Sequence, residues 1–181
     1  EGGLDSCCDL PCETYNFIVE LNKKIKLLKV QGVNEKLIEY ATLIEFTRFF
    51  KNSINIIKLE FTDWTSKELK NLLDNWSTIE GILGKEVLLK IIFNKSGDDL
   101  TLIHVVLIVD ENLLLDLLKI SKNTMSKEEM KEILTMSDSK GKNLVINATH
   151  LITNSENLKN FLNFVENSLN REELKVLLNT T

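Results

Sequence analysis

His104 is the residue of this chain whose type and setting most invite chemistry. It stands three residues after Thr101 in "TLIH", inside the apolar run from Leu100 to Val109, and follows the turn-forming "SGDD" of Ser96 to Asp99. An imidazole can serve near neutral pH as a general base or a metal ligand. Either use needs partners. The nearest acidic residues are Asp98 and Asp99, and no serine or cysteine nucleophile motif stands beside them. The other use is structural. A polar side chain at a packed helix start can pair with the backbone groups that the first turn leaves free. The missing catalytic partners and the apolar setting favour this second use, with His104 turned inward.

The remaining groups do not assemble a catalytic set. Asp98-Asp99 and Asp110-Glu111 are carboxylate pairs, but sequence neighbours do not make an acid/base pair, and turn and cap chemistry accounts for them. "GDDL" lacks the spacing of a calcium loop. "EGILGKE" at 80–86 has Gly81, Gly84 and Lys85 without the phosphate-loop spacing or the hydroxyl residue after lysine. His150 in "NATHLI" reads as part of a helix face. The three cysteines, Cys7, Cys8 and Cys12, crowd into "CCDLPC", far in sequence from both histidines. Four ligands are needed for a structural zinc, so no metal and no cofactor is expected. In a secreted setting a disulfide can form there, leaving one thiol free or paired with another chain. The chain is read as a non-enzyme.

The elements that position these groups follow from composition and period. The chain has 181 residues, 43% hydrophobic and 27% charged, enough for one domain or a short array of repeats. Net charge is −5 with no basic stripe, which argues against nucleic acid as a partner. No apolar run is long enough to span a bilayer. Pro11 is the single proline and there are seven glycines, so everything after Cys12 can be helical. About ten helices are expected. One runs from Thr14 to Lys29, a second follows Asn34 to about Phe50, and a short one spans Ile54 to Glu60. Hydroxyl or amide caps with a glutamate three residues on mark starts at Thr65, Ser126 and Asn170. Trp64, Trp76, Phe46, Phe49 and Phe50 read as core, and the methionines Met125, Met130 and Met136 as helix packing.

Those starts belong to a longer pattern. "SKELKNLL" at 66–73, "SKEEMKEIL" at 126–134 and "NREELKVLL" at 170–178 share cap, charges and leucines, and the last two lie 44 residues apart. Gly97 and Gly141 are also 44 apart, each followed by an apolar helix, a polar break and a second helix. A degraded earlier copy runs from Gly32 to Leu73, with Ile79 to Phe93 as an extra helix. The expected fold is therefore all-α, a helical-repeat solenoid with repeats clearest at about 94–136 and 138–178. A Cys-containing segment, residues 1–13, precedes a single repeat domain, residues 14–181.

"TLIHVVLIVDENLLLDLLK", Thr101 to Lys119, resembles the ankyrin repeat. Thr101, Ile103 and His104 stand where that family has threonine, leucine and histidine, and Leu114, Leu117 and Leu118 suit its second helix. "GKNLVINATHLITNSENLKNFLNFV" keeps Gly141 and a small residue, Ala148, with Asn143 and Ile146 in place of threonine and histidine. The resemblance covers about residues 95–178. It departs in lacking the family's proline and in its 44-residue period, against about 33 for ankyrin, with an extra capped helix in each repeat. The resemblance implies structural roles for Gly97, Thr101, His104 and Gly141, in which threonine and histidine bond backbone near the turn. It also implies that turn tips contact a partner protein, with Asp98, Asp99, Lys140 and Lys142 as the binding residues.

The function expected is a non-catalytic protein–protein interaction module. A compact helical bundle carrying a small apolar ligand is the alternative. Asn-x-Ser/Thr acceptors at Asn75, Asn94, Asn147 and Asn179, the cysteines and an opening at Glu1 fit a secreted or host-directed binder. A cytoplasmic segment of a larger protein fits as well.

Overall fold

The computed structural model describes residues 11–51 and 59–179. Residues 54–58 of the expected helix from Ile54 to Glu60, and Cys7 and Cys8, lie outside the described residues; Leu59 and Glu60 are described and are not helical. Among those residues the fold is all-helical, with eleven α-helices, three short 3-10 turns and no strand beyond two isolated bridges.

Helix α1, Cys12–Val30, opens after Pro11, whose fixed φ suits an entry position and whose missing N–H costs nothing there. It starts two residues before the expected Thr14. It packs on α2, Glu35–Phe49, which Asn34 caps by accepting from the Lys36 N–H at 2.7 Å. Phe17 near the start of α1 stacks on Phe49 at the end of α2, with centroids 4.1 Å apart, so the two helices run antiparallel. Phe46 and Phe50 close this aromatic cluster edge-on to Phe17. The cluster is only partly core, because Phe50 remains exposed.

After a short turn at Phe61–Asp63 come α3 (Ser66–Asp74), α4 (Trp76–Leu83) and α5 (Lys85–Phe93). Thr65 and Glu68 form the expected reciprocal cap on α3. The stretch expected as one helix, Ile79 to Phe93, is two. Gly84 breaks it with φ +97° and ψ 161°, a conformation open essentially to glycine alone. Trp64 and Trp76 are buried, as read, and the Trp76 indole N–H donates to Thr124 Oγ1 at 3.0 Å.

The remaining chain forms α6 (Leu102–Val109), α7 (Leu114–Thr124), α8 (Lys127–Thr135), α9 (Leu144–Leu151), α10 (Ser155–Ser168) and α11 (Arg171–Asn179). Ser126 and Glu129 cap α8 reciprocally, and Asn170 and Glu173 do the same for α11. Helix α5 packs on α6 and α7, and α8 packs on α9 and α10. Between these layers α3 meets α6, α6 meets α9, and α7 meets α10. Every residue of α6 from Leu102 to Leu107 is buried, which is why its sequence is apolar on all sides instead of in a stripe. Burying each such aliphatic side chain contributes about 1.5–3 kcal/mol.

Candidate functional site

Two turns precede helices α6 and α9, and they lie side by side. Each is pinched by a single bridge, Ser96 with Leu100 and Ser137 with Asn143. The Ser139 N–H donates to the Asp98 carbonyl at 2.9 Å and joins turn to turn. The first turn is anchored from behind. Ser96 Oγ donates to the Leu59 carbonyl and accepts from the Phe61 N–H, while the Asn94 side chain pairs with both the N–H and the carbonyl of Leu59.

The glycines behave differently in the two turns. Gly141 adopts the left-handed conformation, φ +79°, as a turn glycine should. Gly97 does not. The left-handed residues of the first turn are Asp98 (φ +62°) and Asp99 (φ +59°), which aspartate tolerates better than most side chains. Gly97 instead donates its N–H to Glu60 Oε1 at 3.1 Å.

Asp138 holds the second turn. Its Oδ1 accepts from the N–H groups of Lys140 and Lys142, and its Oδ2 accepts from the Asn147 side chain at 3.1 Å. Partial burial works against its ionisation, but these donors and the nearby His104 outweigh it and hold the carboxyl below its ordinary value.

Thr101 and His104 are both buried at the start of α6. His104 Nδ1 sits 2.8 Å from Thr101 Oγ1 and 3.4 Å from the Thr101 backbone nitrogen. A backbone N–H can only donate, so Nδ1 is assigned as the acceptor and the neutral ring carries its proton on Nε2. Burial pushes the imidazole below its ordinary value, with Asp138 partly opposing.

Between the turns and the α6 and α9 faces is a hollow of about 210 Å³. Of the residues expected to bind, Asp98, Lys140 and Lys142 border it together with His104, while Asp99 is exposed on the same turn but not at the hollow. Leu107, Ile108 and Leu151 form its apolar wall. The chain matches no protein-family model, no curated protein and no solved structure. Its residues must therefore speak for themselves.

Sequence reasoning missed Asp138, Asn147 and the apolar wall. The Asp-x-x-Gly pattern of Asp138 to Gly141 is a legible turn signal and could have found the first. No group of three or more metal-ligating side chains occurs among the described residues. His150 lies on an exposed helix face with Nδ1 2.9 Å from the Ile146 carbonyl.

Glu111 was expected to act in turn and cap chemistry, and its target lies far along the chain. One oxygen accepts from the Thr153 N–H and hydroxyl, the other from the Asn154 N–H and the Asn157 side chain. These donors, that of Asn157 foremost, pull the carboxyl down to about 2.

Proposed function

We propose that this chain is a non-catalytic protein–protein interaction module, a short helical array that offers the tips of adjacent turns to a partner protein. The observation that carries the reading is the Ser139 N–H to Asp98 carbonyl bond, which sets two turns shoulder to shoulder. Asp98, Asp99, Lys140 and Lys142 are all exposed there, and none of the four forms an ion pair with another described residue. Charges left unpaired on adjacent rigid turns suit electrostatic complementarity with a partner, which governs specificity and association rate.

The array reading rests on recurrence. A turn and three helices run from Leu59 to Phe93, from Asn94 to Thr135 and from Met136 to Asn179. The third helix of each of the first two sets packs on the first and second helices of the next. Stacking of this kind buries apolar faces that one unit cannot bury alone. On this arrangement α3 takes the place of a first helix, although its cap resembles those of the third helices α8 and α11. The pairing of Thr101 with His104 favours the ankyrin-like reading of that stretch, and the third helices are its departure from the family.

The test is capture by the immobilised chain, compared with a variant carrying Asp98→Asn, Asp99→Asn, Lys140→Glu and Lys142→Glu, in which asparagine keeps the left-handed conformation and removes the charge. The reading expects a specific protein that the wild type retains and the variant, melting at a similar temperature, does not. Identical capture profiles would overturn it.

A further inference from the structure

His104 is 1% exposed, and its Nε2 finds no acceptor among the described residues. With Nδ1 turned to Thr101, the free ring position is a donor, and buried donors in folded proteins are almost always paired. This donor belongs to a residue that borders the hollow between the two turns, so the chemistry missing there is that of an acceptor.

The surroundings narrow the class. Lys140 and Lys142, both exposed, are among the residues lining the hollow, and neither forms an ion pair with another described residue. Asp138 is committed to its own turn through three internal donors, which leaves little of its capacity for a cation. Asp98 and Asp138 together still disfavour a dianion such as a phosphate. Ile108 and Leu151, 55% and 43% exposed, give the opposite wall an aliphatic surface.

We propose that this hollow binds a monocarboxylate carried on a short aliphatic group. The Nε2–H of His104 donates to one carboxylate oxygen, Lys140 and Lys142 supply the positive charge, and Leu107, Ile108 and Leu151 receive the aliphatic part. A polypeptide ending in leucine and a free branched-chain acid share this chemistry. The inference rests on the partner-binding reading only in using the same turns.

The test uses the full chain and three probes in calorimetric titration: a short acetylated peptide ending in leucine, its C-terminal amide, and 4-methylpentanoate. At least one of the acids should bind, shift the His104 Nε2 resonance, and do so at least roughly tenfold more tightly than the amide, the ordinary loss for one charge-assisted bond. The exposed double variant Lys140→Ala, Lys142→Ala should keep its melting temperature and weaken acid binding by a similar factor.

Tighter binding of the peptide points to a polypeptide end, and tighter or equal binding of the free acid points to a small metabolite. Both outcomes uphold the site. Equal affinity for amide and acid, or no binding of any probe at millimolar concentration, overturns it. If the probes fail while protein capture still depends on the turn charges, only this site falls. If the acids bind while capture is indifferent to those charges, only the partner reading falls.

Discussion

At the scale of the residue, His104 shows how burial sets the state of a titratable group. A charged imidazole would have to leave water, so the buried ring folds neutral. The unfolded chain then takes up the proton first as the pH falls. The stability contributed by the neutral ring is complete above the ordinary value near 6.5 and declines as the pH drops below it. His104→Ala removes the acceptor of Thr101 and opens a void, and should cost about 2–4 kcal/mol in urea unfolding at neutral pH. The same variant should show a shallower loss of stability between pH 7 and pH 5 than the wild type. An unchanged slope would remove His104 from that acid response. The inward placement of this residue was legible in the sequence because the Thr101-to-His104 contact is local. Its unpaired Nε2 was not, since that depends on what the neighbouring turn brings beside it.

At the scale of the element, caps and glycines decide where helices begin and end. Thr65→Ala and Ser126→Ala each remove one side of a reciprocal cap and should cost about 1 kcal/mol by denaturant unfolding. Two glycines in one motif should respond in opposite directions. Gly81 lies inside α4 with open space where a Cβ would stand, so Gly81→Ala should stabilise by about 0.5–1 kcal/mol. Gly84→Ala forces a side chain into φ +97° and should destabilise by about 1–3 kcal/mol. Equal effects at the two sites would contradict the break between α4 and α5. Reading 79–93 as one helix followed its apolar content and passed over Gly84, which the same motif displays.

Glu111 acts between elements, tying the α6–α7 junction to the start of α10. Its folded value near 2 lies below the ordinary carboxylate range, so its contribution is present above about pH 4.5 and is lost as the pH falls toward 2. Glu111→Gln should lower the melting temperature at pH 7 and flatten the acid limb of the stability curve. A variant as acid-sensitive as the wild type would sink that assignment.

At the scale of the whole molecule, the array reading predicts an extended particle. A compact globule of this length has a radius of gyration of about 16 Å. Solution scattering should give a larger value with an anisotropic distance distribution, and a near-spherical profile would favour the bundle. The all-helical character was legible from sparse proline and glycine and from the period of the apolar residues. The adjacency of the two turns was not, because one backbone bond between Ser139 and Asp98 leaves no mark on side-chain type. Asp98 and Asp99 in left-handed conformations, where Gly97 was expected to serve the turn, were hidden for a related reason: backbone geometry there follows from anchoring at Ser96 and Leu59.

The reach of the polar ties has a consequence for how such a chain is made. Asn143 bonds the Leu177 carbonyl 34 residues on, Trp76 bonds Thr124 48 residues on, and the contacts of Glu111 and of the paired turns fall between these spans. Closing loops of such similar length costs nearly the same entropy each time. During synthesis from the N-terminus, a helix leaving the ribosome finds its polar partner within the preceding fifty or so residues. Assembly can therefore keep pace with translation, and a pause once Thr124 has left the ribosome would leave α3 to α7 already tied through Trp76, Ser66 and Ser96.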